Sequence, residues 1–365
     1  MISPFKVQFS VDEINEYLDS AKDILRRGGL IPGKYNQILE KMFAKFIGTD
    51  YAVTTITGTT ALEIIYRCLD LKGKDVLVPA NTNYATAEAA IRAGANVVLY
   101  DSALYPDFNS IKSVVSKKTR ALVIVHIGGY ITPNIEKIIA FCKEKNIYLI
   151  EDASHAHGST YKKRKAGTFG IASAFSMFAT KIVTTSEGGI IVSNNEKIKK
   201  LSTIYRDQGK DEEGIRNIVF GSAWRMSELH AAFGIIQIKR LKDYLRHNNK
   251  IIQFYKKHII TSAIDIPYNE DSFYSGYKFI LLLKNKLERD SLAAYLLKKG
   301  IKVGKNVYDV PLHRQPALLF LKKYSYPKAE HFANTHICLP IWKGMKDEEM
   351  RRVVLETNSW SRDHA

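Results

Sequence analysis

From about residue 60 to 195 the chain alternates short, almost wholly apolar β-branched runs with helical patterns, and this alternation restricts the fold more than any other feature. Asp75–Pro79 (DVLVP), Asn96–Tyr100 (NVVLY), Arg120–Ile127 (RALVIVHI) and Ile147–Ile150 read as strands with no polar face. Strands apolar on both sides belong to a mostly parallel sheet covered by helices on both faces. The intervening segments supply those helices. Leu62, Ile65, Tyr66 and Leu69 recur at helical spacing, with Thr60 and Glu63 reading as a capping box for a helix that begins near Thr59 or Thr60. Tyr84–Ala93 reads as a helix, and another starts at Thr132-Pro133 with Ile135, Ile138, Ile139 and Cys142 on one face. Strand-like Ala172–Met177 and Gly189–Ser193 follow, then a long helix over Arg225–Leu241.

After about residue 245 the pattern changes to a basic helix, an apolar strand at Tyr277–Leu283, a helix at Arg289–Lys299 and a Pro-containing stretch, Val310–Pro316. The expected organisation is a large α/β domain over residues 1–245 and a smaller C-terminal α+β domain over residues 246–365.

Composition excludes several classes. Gly and Pro are too few for a collagen-like or low-complexity chain, and the hydrophobic share of 45% is that of a globular protein. The formal charge of +17 suits an anionic partner such as a phosphorylated metabolite. The basic residues are dispersed, with runs at Lys162–Lys165, Lys239–Lys257 and Lys284–Lys305, and form no basic arm, so neither a nucleic-acid nor a membrane partner is expected. Cys68, Cys142 and Cys338 are odd in number and far apart, as in a reduced cytoplasmic protein. The first residues contain no apolar signal segment, and no window reaches the length of a spanning helix.

The chemistry concentrates in two places. Thr57-Gly58-Thr59-Thr60 leads into a helix, offering backbone N–H groups and hydroxyls to a phosphate. The same residues also read as an ordinary Thr-capped helix start. Glu151-Asp152 ends a strand at the carboxyl edge of the sheet, where ligands bind in such folds. About thirty residues later Lys181 lies among small, mostly uncharged residues, a setting in which a desolvated amine attacks a carbonyl; a surface lysine is the other reading. His155-x-His157 has no third ligand nearby, and no metal is expected.

These segments together resemble the DegT/DnrJ/EryC1/StrS family of sugar aminotransferases over almost the whole chain. The matching motifs are LIPGK at Leu30–Lys34, TGTTAL, VPANTNYATAEAAIRAGANVVLYD, EDASHAHGSTYKKRKAGTFG, FSMFATKIVTTSEGG, RMSELHAAFG, PLHRQP and YPKAE, in the family's order. The resemblance implies the aspartate-aminotransferase-type fold (fold type I) and pyridoxal 5′-phosphate as cofactor. It implies that Lys181 binds the cofactor covalently and then moves protons, and that Asp152 pairs with the pyridinium nitrogen. His155 is assigned to the phenolic-oxygen side of the ring, and Thr59, Thr60 and Ser176 to the phosphate. Tyr84 is the aromatic candidate beside the ring, since Asn83 stands where relatives carry the stacking residue. Arg225 and His313 are assigned to the substrate. Ala223, followed by Trp224, replaces an Asn that in relatives reaches the partner subunit's phosphate.

The implied reaction moves an amino group from L-glutamate to a keto sugar, usually nucleotide-linked, in a homodimer with sites between subunits. The related branch that dehydrates sugars has histidine in place of the lysine. A non-catalytic regulatory or nucleic-acid-binding relative, or a lysine-bearing dehydratase, remains the alternative.

Overall fold

The computed structural model describes residues 1–260, 263–304 and 306–362, so Lys305, which ends one of the basic runs, lies outside the described residues. Its main sheet has seven strands: β1 (Tyr51–Thr55), β2 (Asp75–Pro79), β3 (Asn96–Tyr100), β4 (Thr119–Val125), β5 (Tyr148–Asp152), β6 (Ala172–Ser176) and β7 (Gly189–Ser193). They lie in the order β1-β7-β6-β5-β4-β2-β3. All run parallel except β7, which is antiparallel to both neighbours.

Strand periodicity distributes the side chains between two cores. Ala121 and Val123 of β4 join one apolar cluster, whereas Leu122 and Ile124 join the other. Successive side chains of a strand point to opposite faces, so a run without polar residues needs cover on both sides. One layer contains helices α1 (Val11–Arg27) and α2 (Lys34–Ile47), packed on the long helix described below. The other contains α3 (Gly58–Cys68) and α4 (Tyr84–Arg92), packed on each other.

The capping box at the start of α3 differs from the sequence expectation. Thr57 is the N-cap, its hydroxyl accepting from the Thr60 amide at 3.1 Å while Thr60 Oγ1 accepts from the Thr57 amide at 3.1 Å. Glu63 instead binds Arg67 one turn along, at 2.7 Å. Strand β1 ends at Thr55, so the backbone is already extended at Thr57 and the helix begins at Gly58.

The long helix also exceeds the expectation: Glu228–His258 is one continuous helix of 31 residues, running through residue 245. No Pro or Gly breaks it beyond Gly234. Its Leu241 and Leu245 belong to the large core, and Ile251, Ile252 and Tyr255 to a C-terminal one. That second core includes a three-stranded antiparallel sheet, Ile264–Asp265, Phe279–Leu283 and His336–Leu339. Ile2 joins the C-terminal core as well, because its amide donates to Gly300 and its carbonyl accepts from Lys302.

Candidate active site

The carboxyl ends of β5 and β6 and the first turn of α3 converge on a cavity of about 230 Å³. At one side are Thr57, Gly58, Thr59 and Ser176; at another are Asp152 and His155; Lys181 lines it from the loop after β6. Within α3, the cap satisfies the amides of Thr60 and Ala61, while those of Gly58 and Thr59 take no hydrogen bond among the described residues. These free donors at a helix N-terminus, with the hydroxyls of Thr59 and Ser176, form an anion cradle.

Lys181 is half-buried, with its Nζ 4.8 Å from the ring centroid of Tyr277. Nζ takes no hydrogen bond or ion pair among the described residues. Burial pulls the ammonium down to about 8, with the charge of Asp152 opposing that shift. Near neutral pH a useful fraction is therefore free amine, the form that adds to an aldehyde.

Asp152 ends β5 and is only 5% exposed. Its Oδ1 accepts from the Ser154 amide at 3.2 Å and its Oδ2 from Thr86 Oγ1 at 2.9 Å. The preceding Glu151 points the other way. It is wholly buried and accepts from His126, Ser173 and the amides of Gly167, Phe169 and Gly170, at 2.7–2.9 Å. Burial alone would raise its carboxyl; His126 and the converging amides hold it below the usual value instead. Glu151 thus anchors the strand end and the following loop, while Asp152 faces the cavity.

His155 Nδ1 accepts from the Gly128 amide at 3.2 Å, which leaves the proton on Nε2, 3.4 Å from Tyr308 Oη. Its ring stacks on Tyr277 at 4.2 Å. Burial, followed by the charges of Lys181 and Lys278, holds the imidazole well below its usual value, so it is a neutral donor.

Four of the other sequence candidates do not line this cavity within the single chain. Thr60 does not line it, because its hydroxyl is used on the carbonyl of Thr57 at 2.8 Å. Tyr84 lies outside and is 41% exposed, while its neighbours Asn83 and Ala85 line the cavity; Asn83 also caps α4 through the Ala85 amide. His313 is buried elsewhere, its Nε2 2.9 Å from Glu330 and its ring against Tyr326. Arg225 pairs with Asp207 and lines a separate cleft of about 460 Å³. The Lys162–Lys165 turn lies away from the cavity in a small hairpin.

Sequence reasoning did not select Ser154, Thr86, Glu187 or Tyr308. Tyr308 lies more than a hundred residues from the other cavity groups, with no local signal. Thr86 was discoverable only as a hydroxyl one turn into a helix that follows a strand end. Among the described residues no group of three or more His, Cys, Asp or Glu forms a metal site, and no helix is long and apolar enough to cross a membrane.

The features of the cavity suit pyridoxal 5′-phosphate. Two unpaired amides and two hydroxyls face a phosphate position, and a carboxylate and a neutral imidazole flank a ring position. Lys181, with its ammonium lowered to about 8 and its Nζ without a hydrogen bond or ion pair among the described residues, lines the same cavity. Fold and cavity together define a pyridoxal-phosphate-dependent enzyme of fold type I.

The chain belongs to the DegT/DnrJ/EryC1/StrS aminotransferase family, whose profile matches residues 11–357. It is similar to the GDP-perosamine synthase of Escherichia coli O157:H7, with 30% identity covering 96% of this chain and 95% of that one. It is also similar to the dTDP-3-amino-3,6-dideoxy-alpha-D-galactopyranose transaminase of Aneurinibacillus thermoaerophilus, with 29% identity covering 92% and 93%. Among solved structures, the PLP form of Spr1654 from Streptococcus pneumoniae superposes with a TM-score of 0.88 at 25% identity, covering 100% of this chain and 99% of that one.

Proposed function

We propose that this aminotransferase moves an amino group from L-glutamate to a keto sugar carried on a nucleoside diphosphate, in the synthesis of an amino deoxysugar for a surface polysaccharide or glycoconjugate. The observation that carries this reading is the meeting of Lys181, Asp152 and the free amides of α3 in one cavity. The sugar is supported by two relatives whose names refer to GDP- and dTDP-linked amino sugars.

When bound, the cofactor supplies an aldehyde for covalent attachment and a ring that accepts the electrons released as a C–H bond breaks. Lys181 Nζ is the group that captures the aldehyde and, when free, takes up and gives back a proton. Asp152 holds a proton on the ring nitrogen. His155 donates from Nε2 toward the phenolic oxygen, and Thr59, Ser176 and the Gly58 and Thr59 amides hold the phosphate. With Lys181 present as the base, amino transfer is favoured over dehydration.

The active unit is a homodimer. Ile215, Ile218 and Phe220 are 79%, 53% and 91% exposed on one segment between the Asp207–Ala223 bridge and its tip, an apolar display that suits burial against a second copy. Arg225, two residues beyond that bridge and paired with Asp207, is the cation that this interface would bring toward a substrate. Three buried, unpaired cysteines suit a cytoplasmic location.

The test is a panel of nucleotide-linked and free keto sugars incubated with ¹⁵N-labelled glutamate and analysed by mass spectrometry. The expected result is label in at least one product and none with Lys181→Ala. Absence of transfer across the panel, or equal transfer by Lys181→Ala, rejects the reading.

A further inference from the structure

A chain of two hydroxyls stands behind the Asp152 carboxylate. Thr86 Oγ1 is 2.9 Å from Asp152 Oδ2, and Thr82 Oγ1 is 2.9 Å from Thr86 Oγ1. Thr82 and Thr86 are 1% and 0% exposed, so solvent does not replace these bonds. Each hydroxyl has a single proton. An ionised carboxylate has none to give, so the Thr86 proton points at Asp152 and the Thr82 proton points at Thr86. The relay has one polarity.

Its placement is fixed by α4. Thr86 is the third residue of that helix, one turn from the Asn83 cap, and its carbonyl accepts from Tyr66 Oη at 3.3 Å. The two carboxylate oxygens of Asp152 thus have different donors: the Ser154 amide on Oδ1 and the Thr86 hydroxyl on Oδ2. The charge of Asp152 acts on the ammonium of Lys181 and the phenols of Tyr66 and Tyr308, and His155 and Glu187 line the same cavity. Burial, then the charge of Asp152, pushes both phenols well above their usual range, so they are neutral.

We propose that Thr86, oriented by Thr82, is a positioning residue that keeps Asp152 ionised and aimed, so that the proton shared with the cofactor's ring nitrogen stays on the nitrogen. This rests on the assignment of Asp152 as the ring partner in the proposed function. A hydrogen bond donated to the charged form of a carboxylate favours that form, more so where water is excluded. Without the Thr86 hydroxyl, Oδ2 is a buried charge lacking its donor. It regains a satisfied state by taking the proton: the N–H bond of the ring breaks, an O–H bond forms on Asp152, and the net charge of the pair is unchanged. A ring left neutral is a weaker electron acceptor.

The experiment uses the full chain loaded with pyridoxal phosphate carrying ¹⁵N in the ring, and reads the nitrogen's chemical shift. The variants are Thr86→Val, Thr86→Ser, Thr82→Val and Asp152→Asn, with unfolding midpoints measured in parallel. Wild type and Thr86→Ser are expected at the protonated position. Thr86→Val is expected to move toward the neutral position, its protonated-to-neutral ratio falling about tenfold, equivalent to one pKa unit. Thr82→Val is expected to move the same way by less, and it carries the test if Thr86→Val does not fold. An unmoved signal in Thr86→Val, with Asp152→Asn shifted, overturns the relay and leaves the assignment of Asp152 intact. An unmoved signal in Asp152→Asn overturns that assignment and the relay with it.

Discussion

Gly58 and Ser176 approach so closely that a Cβ at residue 58 would lie 2.8 Å from the Ser176 Cβ and 3.0 Å from its Cα. Real Cβ atoms do not pack at the shorter of these distances, so what excludes a side chain here is space, since Gly58 has an ordinary helical position at the start of α3. The contact brings the free amides of the helix against the end of β6. Gly58→Ala forces the two apart and is expected to lower the unfolding free energy by about 1–3 kcal/mol. The cradle is distorted as well, so the dissociation constant for pyridoxal phosphate should rise about tenfold, a loss of about 1.4 kcal/mol. An absorbance titration of cofactor-free protein checks this, and unchanged affinity would contradict the cradle.

Lys181 titrates at about 8, because burial outweighs the opposing charge of Asp152. Only the free amine attacks an aldehyde, so capture of pyridoxal phosphate should accelerate as pH rises to about 8 and then level off. A solvent-exposed lysine would keep accelerating toward about 10.4. Asp152→Asn removes the charge that favours the ammonium, so its midpoint should move to lower pH. Stopped-flow absorbance across a pH series measures both, and Lys181→Ala should give no covalent band at any pH.

The carboxylate of Glu228 joins two distant motifs by accepting from the amides of Gly33, Tyr35 and Asn36 at 2.9 Å and from Asn36 Nδ2 at 2.8 Å. Glu228→Ala strands these donors in a buried site, and the expected loss is about 3 kcal/mol of unfolding free energy. Denaturant unfolding gives the magnitude. Amide exchange should quicken at residues 33–36 in particular, and exchange that stays at the wild-type rate there would refute the anchor.

His157 lies edgewise to Phe43, with both ring nitrogens unpartnered among the described residues. Burial, then the Lys181 charge, brings its imidazole down to about 3. The unfolded chain takes up this proton near pH 6.5, and the folded chain does not until about 3, so the unfolded state binds more protons in between. Stability therefore falls as pH drops through that window, by about 1.4 kcal/mol per pH unit from this group. His157→Leu should flatten this part of the profile. Chemical unfolding at several pH values decides, and a slope equal to wild type would remove His157 from the account.

How much of this was legible in the sequence differs from residue to residue. The apolar runs at Val76–Val78 and Leu122–Val125 indicate strands covered on both faces, since they are short, β-branched and apolar in every position. Asp152 stands out in the sequence as a carboxylate at a strand end, whereas Lys181 by position alone reads equally as a surface lysine and takes its assignment from the family resemblance; the structure puts both on one cavity. The cap of α3 was misplaced by three residues. Thr57–Thr60 and Thr60–Glu63 have the same spacing, and the choice depends on where β1 ends, which its pairing with β7 sets. His313 stood in a suggestive motif, yet Glu330, seventeen residues further on, holds it away from the cavity.

By itself, the order of polar and apolar residues determined the mostly parallel sheet and the edge of it that carries the chemistry. Those outcomes follow from side-chain periodicity, which acts over a few residues. Tertiary structure alone decided that Thr86 supports Asp152, that Tyr308 reaches His155 and that Gly58 touches Ser176. Such contacts join residues far apart in the chain, and their distances depend on how every intervening helix packs, which no local pattern encodes.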